Sequence, residues 1–335
     1  MPIPFLFIAA GAGAAALGIG KSIKAGADQK EANDTNERAQ DIVQEATDSA
    51  NSARKNSGEA ITHLGRTKIK ILDDSIRPFI SSFEKLHNVD LTDSVGLEEL
   101  QKFRIDRQAF DELKEMQAMA TSIVGGVASG AAIGAITAFG AYGGAMAFGA
   151  ASTGTAIASL SGVAATNATL AFLGGGSLAV GGLGMAGGAA VLGGLVAGPA
   201  LAVMGFIVGA KASANKDRAY SNLAQAKEFR EEMETVKSVC KGIRMRANMF
   251  ERLLLKLNAV FSPLAYSLDQ LIIESGTDYS KFSAEEKATV AASMSIAGAI
   301  KAVLDTPILT DSGNLTHESE TIADSIKGIL ISENE

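Results

Sequence analysis

The residues able to do chemistry are few and poorly placed for it. Cys240 is the lone cysteine of a 335-residue chain, so neither an internal disulfide nor a cysteine zinc site can form. His63, His87 and His317 lie far apart, with no HExxH-type pair on one helical face. The acidic pairs Asp73-Asp74, Glu98-Glu99, Glu231-Glu232 and Glu285-Glu286 are adjacent residues. On a helix such neighbours diverge by about 100°, so they read as solvated faces rather than general acid–base partners. Gly11-Ala-Gly13-Ala-Ala-Ala16 has the outline of a dinucleotide loop, but a polar helix follows it instead of a strand–helix–strand unit. Gly20-Lys21-Ser22 ends like a phosphate-binding loop, yet the glycine that motif requires is replaced by Ala15. The expectation is a protein without catalytic residues, metal or cofactor.

The elements that surround these residues are more informative. No Asp, Glu, Lys, Arg or His occurs between Met116 and Ala210, a window of 95 residues. The chain carries 30 basic and 37 acidic residues, a net charge of −7, and all of them lie outside that window. An acidic balance argues against nucleic acid as a partner. About 20 apolar residues span a bilayer, and the window divides into apolar stretches at roughly 121–150 and 178–210. Between them, Ser152, Thr153, Thr155, Ser159, Ser161, Thr166 and Asn167 make a weakly polar segment. Two long crossings fit this pattern, and four short ones fit its length.

The window holds 23 of the 36 glycines, many spaced by four: Gly126, Gly130 and Gly134; Gly140 and Gly144; Gly184 and Gly188; Gly194 and Gly198; Gly205 and Gly209. In water each glycine weakens a helix by about 1 kcal/mol relative to alanine. In lipid the same spacing lets helix backbones approach closely, and packing drives their association. Pro199 predicts a kink in the second crossing. Residues 3–20 form another uncharged stretch, followed by Lys21 and Lys24. A secretory leader carries its positive charge before the apolar part, so residues 1–24 read as a further membrane segment, with Lys21, Lys24 and Lys30 favouring the cytoplasmic side.

Two polar helical arms flank the window. In the first, residues 25–115, alanine recurs every seven residues at Ala32, Ala39, Ala46, Ala53 and Ala60. That seam thickens through Ile69, Leu72 and Ile76 and is expected to break at Pro78, with a turn near Asn88–Gly96 and an amphipathic stretch over 97–115. In the second, residues 211–262, Ala226, Phe229, Met233, Val236, Cys240, Ile243, Ala247, Phe250, Leu254 and Leu257 alternate spacings of three and four. This is a coiled-coil seam. It makes Cys240 a small packing residue, and Pro263 is expected to end the helix. If the hairpin returns to its starting side, the arms pair antiparallel; pairing with copies of the same arm is the competing arrangement. In the C-terminal helical region, 263–335, Ser283-Ala-Glu-Glu286 reads as a capping box opening a helix toward Leu304. Ile322, Ile326 and Ile329 mark one face of a last short helix.

The segments Ala151-Ser-Thr-Gly-Thr-Ala-Ile-Ala-Ser-Leu-Ser-Gly162 and Ala165-Thr-Asn-Ala-Thr-Leu-Ala-Phe-Leu-Gly-Gly-Gly176 resemble a bacterial family of glycine-rich membrane proteins. So do the opening Met1-Pro-Ile-Pro4 and Glu31-Ala-Asn-Asp34. The resemblance covers about the first 260 residues and implies a bacterial origin, with no activity attached; the location expected is a bacterial inner membrane. In architecture alone, long helices around an apolar hairpin resemble cytolysin A-type pore-forming toxins and the apolipoprotein L proteins. The fold expected is all-α: antiparallel coiled-coil arms flanking a glycine-rich transmembrane hairpin, with a small C-terminal helical region. The partners expected are the lipid bilayer, further copies of the chain, and for a scaffold role an unidentified protein. The function expected is a bilayer-perturbing, oligomerising membrane protein, soluble before insertion; the alternatives are a constitutive inner-membrane scaffold and a self-assembling structural protein. Absence of Trp, with Tyr142 the one Tyr in the window, leans toward conditional insertion.

Overall fold

A computed structural model describes residues 22–89, 105–125, 136, 139–141, 216–309, 315–322 and 324–325. These residues are predominantly helical, and among them no strand occurs beyond two isolated bridges. In chain order they form α1 (Ser22–Ile71), a π-helical turn (Leu72–Ile76), α2 (Arg77–Phe83), α3 (Arg107–Gly125), α4 (Lys216–Ser275) and α5 (Ala284–Asp305). A short 3-10 turn, Tyr279–Lys281, separates α4 from α5. The chain divides into two compact units, Met1–Ala46 with Ala202–Glu232, and Thr47–Leu201 with Met233–Glu335.

In the first unit the starts of α1 and α4 lie side by side. Ala39 and Val43 of α1 pack with Ala226 of α4, and Ile42, Leu223 and Phe229 close over them. The contact is thin because small residues face it, which lets the helix axes approach. Lys216 Nζ and the Tyr220 hydroxyl both donate to Glu31, each at 2.7 Å, and hold its carboxyl below the usual carboxylate range. Asn222 Nδ2 donates to Asn36 Oδ1 at 3.0 Å. Residue numbers rise together across these contacts, so the helices run parallel here.

In the second unit the same sense recurs. Thr67 Oγ1 donates to Glu251 at 3.1 Å, and Ser82 Oγ to Asp269 at 2.8 Å. Beyond the helices, His87 N–H donates to Thr277 O and Tyr279 N–H to His87 O. Gly276, at φ +86°, makes the turn that brings Thr277 to that bridge. The expectation of antiparallel arms is therefore corrected: α1 and α4 are parallel. It rested on a hairpin that turns straight back into the second arm. Instead the antiparallel contacts are made by α3 with the π turn and the end of α2, and by Gly140 with α1. Lys114 pairs with Glu84, Thr121 Oγ1 donates to Asp73, and Gly140 lies against Ile61 and Gly65.

Both prolines expected to end helices leave them running. Pro78 stands in the first turn of α2, directly after the π turn in which Arg77 N–H bonds to Leu72 O. The widened turn takes up the missing donor and the ring's clash with the preceding turn. Pro263 lies inside α4, which continues to Ser275. Pro263 and Ala259, whose carbonyl loses its usual donor, are both exposed. Phe261, Ala265 and Leu268 stay buried on either side, and that burial outweighs the roughly 3 kcal/mol a proline costs a helix.

The core of the second unit is aromatic at its centre: Phe79 meets Phe261 edge-on at 5.3 Å, and Phe83 lies 5.3 Å from Phe110. The capping box opens α5, with Glu286 N–H donating to Ser283 Oγ and Ser283 N–H to Glu286 Oε2. Val290, Met294, Ala297, Ile300 and Leu304 are all buried.

Candidate functional site

The site with most physical content is where the charge-free window meets the charged body. Ile136, Phe139 and Ala141 of the window are buried in the second unit's core. Gly65 and Gly140 allow that seat. A Cβ on Gly65 would stand 1.9 Å from the Ile136 carbonyl oxygen, and one on Gly140 would stand 2.2 Å from the Ile61 oxygen. Only glycine lets the two backbones come this close. Past the contact, Ile308 N–H donates to Ala141 O at 2.7 Å, tying the window to the extended segment after α5.

Lys68 sits beneath this seat. Its side chain is wholly enclosed, and Nζ donates to Phe139 O and Leu304 O, each at 3.4 Å. The ammonium lies 5.7 Å from the Phe139 ring centroid, a cation–π distance. Burial pushes its pKa down to about 7, although nearby Asp305 acts in the opposite direction. Lys301 lies next to it and bonds both Asp305 and Glu112, the latter at 2.8 Å. Burial opposes the Lys301 charge, but its two carboxylate partners outweigh that and hold its pKa above the ordinary lysine value. Burial raises the Asp305 carboxyl, and its Oδ1 has no hydrogen-bond partner. Lys68 thus ties α1 to Phe139 of the window and to α5, and Lys301 ties α5 to α3 through Glu112. Enclosed amines of this kind anchor and tune packing.

No family model, curated protein or solved structure matches this chain.

Of the packing glycines expected in a membrane hairpin, Gly140 is described. Its close contact is with α1 of the same chain. Gly126, Gly130, Gly134, Gly144, Gly184, Gly188, Gly194, Gly198, Gly205 and Gly209 lie outside the described residues, as do nearly all of residues 1–24. On α4, Ala226, Met233, Cys240, Ile243, Ala247, Phe250, Leu254 and Leu257 are buried, and Phe229 and Val236 are half-buried. Ile243 through Leu257 join the main core. One described helix, α5, is long and apolar enough to cross a membrane, but 72% of its apolar stretch is buried inside the protein. Among the described residues no group of three or more His, Cys, Asp or Glu is placed to hold a metal.

Lys68, Gly65 and Lys301 are not among the residues that the sequence singled out. Lys68 does leave a signal. It continues the apolar series Ile61, Leu64, Leu72 and Ile76, so a charge stands where a core residue belongs.

Proposed function

We propose that this protein is a conditionally inserting, bilayer-perturbing helical protein whose glycine-rich window leaves its helical body to enter lipid. The observation that carries this reading is the 95-residue charge-free window with its five groups of four-spaced glycines. A soluble surface has no use for such a stretch, whereas helix association in lipid does. Support for a conditional form comes from the seat of residues 136–141. It is closed by backbone hydrogen bonds and by a desolvated lysine, contacts that can be exchanged as a unit. Oligomerisation through the glycine ridges and a bacterial inner membrane as target complete the proposal.

The test is dye release from liposomes by the purified full chain. Gly130→Leu and Gly194→Leu each place a bulky side chain on a glycine ridge. Each is expected to lower the leakage rate by at least tenfold while the far-ultraviolet helix signal is retained. Unchanged leakage in both variants would overturn the proposal. Stable membrane retention through an alkaline carbonate wash with no leakage from the wild type would leave a resident scaffold instead.

A further inference from the structure

We infer that the outer face of α4 between Lys241 and Tyr266 is a docking surface for an anionic lipid bilayer. From Lys237 to Tyr266 the sequence has six basic residues and one acid, Glu251, in a chain whose net charge is −7. Glu251 is half-buried and accepts from Thr67, so it does little to neutralise the outer face.

Helical spacing gathers the rest. Lys241, Met245, Arg252, Leu255, Lys256 and Tyr266 recur at intervals that keep them within one exposed stripe, on the side of α4 opposite the buried seam. Met245, Leu255 and Tyr266 are 60%, 51% and 67% exposed; singly that is ordinary, and it is their place on one stripe with the cations that carries the argument. Lys241, Arg252 and Lys256 form no ion pair among the described residues. One end of the stripe borders a groove of about 560 Å³ whose lining includes Lys237, Lys241, Arg244 and Glu234; with Lys237 paired to Glu234, Lys241 and Arg244 leave it net positive.

The choice of occupant follows from the mixture. Cations alone would suit any polyanion, and apolar residues alone would suit a protein groove. Alternating along about 38 Å of helix, they match an interface where headgroup phosphates lie beside acyl chains. Each basic residue near an anionic leaflet contributes about 1 kcal/mol, and exposed Met, Leu and Tyr side chains enter the boundary layer. The helix lies on the membrane with its other face still buried in the protein. This inference does not depend on insertion of the window, because docking needs no charge-free segment.

The experiment is flotation of the full chain with vesicles of 30% phosphatidylserine in phosphatidylcholine, compared with pure phosphatidylcholine. Wild type is expected to float with the anionic vesicles at least tenfold more strongly, with the excess lost at 0.5 M salt as charges are screened. K241E/R252E/K256E is expected to weaken anionic binding on the order of 100-fold and to leave neutral-vesicle binding unchanged. M245S/L255S, which keeps every charge, is expected to shorten residence on the vesicles at least fivefold. Thermal unfolding of the same variants checks that the body is intact. Equal flotation of wild type with both vesicle types overturns the inference, as does a triple variant that floats like wild type. Tighter binding to duplex DNA than to anionic vesicles at the same salt also overturns it. Docking that persists while dye release is absent supports this surface and tells against insertion alone.

Discussion

At the scale of single residues, Lys68 has the most unusual environment described. Its ordinary partner would be water, and in its place are two backbone carbonyls and an aromatic face. The sign of the consequence follows from linkage. The folded pKa is about 7, below the ordinary value of 10.5, so between those values the unfolded chain binds the proton and the folded chain does not. Lys68 therefore makes the fold lose stability as pH falls from about 10.5 to about 7, with no further loss below that. The full penalty is of order a few kcal/mol, since each pH step of one between the two values carries roughly 1.4 kcal/mol. Lys68→Met keeps the stem and removes the charge. It is expected to raise the unfolding midpoint at pH 7 and to abolish the part of the pH slope that lies between 7 and 10. Chemical denaturation of both proteins at pH 7, 8.5 and 10 measures the difference. A constant gap across that range would mean that the amine is not desolvated. Lys68 was legible in principle as a charge on an apolar series. Its desolvation was not, because that depends on residues 139 and 304, brought there by other elements.

At the scale of elements, the contact of α1 with the window's helical residues rests on a glycine facing a glycine. Nothing about Gly65 in the sequence marks it out, since it is an isolated glycine in a long polar helix. Its role arises from the backbone at Ile136 and Gly140 pressed against it. Gly58, two turns earlier on α1, serves as the internal control, because a Cβ added there would meet no atom within 4 Å. Gly65→Ala and Gly140→Ala are each expected to destabilise the second unit by about 3 kcal/mol or more, because a backbone carbonyl must move. Gly58→Ala is expected to stabilise it by up to about 1 kcal/mol, through helix propensity alone. Urea midpoints of the three variants decide. If Gly65→Ala behaves like Gly58→Ala, the close approach does not exist. Helix identity was readable from spacing, and the start of α5 from the capping box at Ser283, whereas the ends expected at Pro78 and Pro263 were not. Proline marks a local cost, and the extent of α4 past Pro263 is set by Phe261 and Leu268 packing on distant residues.

At the scale of the whole molecule, the heptad spacing of α4 was plain in the sequence but its direction relative to α1 was not. A three-and-four repeat reads the same for parallel and antiparallel partners. What breaks that symmetry is polar. Asn36 and Asn222 both occupy the thin seam and bond each other, and Glu31 receives Lys216 and Tyr220. An amide pair of this kind fixes register because any shift leaves one of its groups unsatisfied. Parallel pairing has a consequence for the proposed insertion, because Lys216 is paired with Glu31. A window that leaves its seat for lipid must do so with Lys216 still held beside Glu31, or else release both. Cysteine pairs separate these cases. With Cys240→Ser as background, Asn36→Cys with Asn222→Cys is expected to cross-link under mild oxidation in solution. Glu31→Cys with Tyr266→Cys, which antiparallel pairing of α1 with α4 end to end would bring together, is expected to stay free, since residue 266 stands about a dozen turns along α4 from the partners of Glu31. Reversal of that pattern would restore antiparallel arms. Repeating the oxidation after the chain has bound liposomes then tests the coupling. Retained cross-linking at 36–222 means that the arm pair survives as an anchor while the window moves. Its loss means that the register pair itself opens on binding lipid.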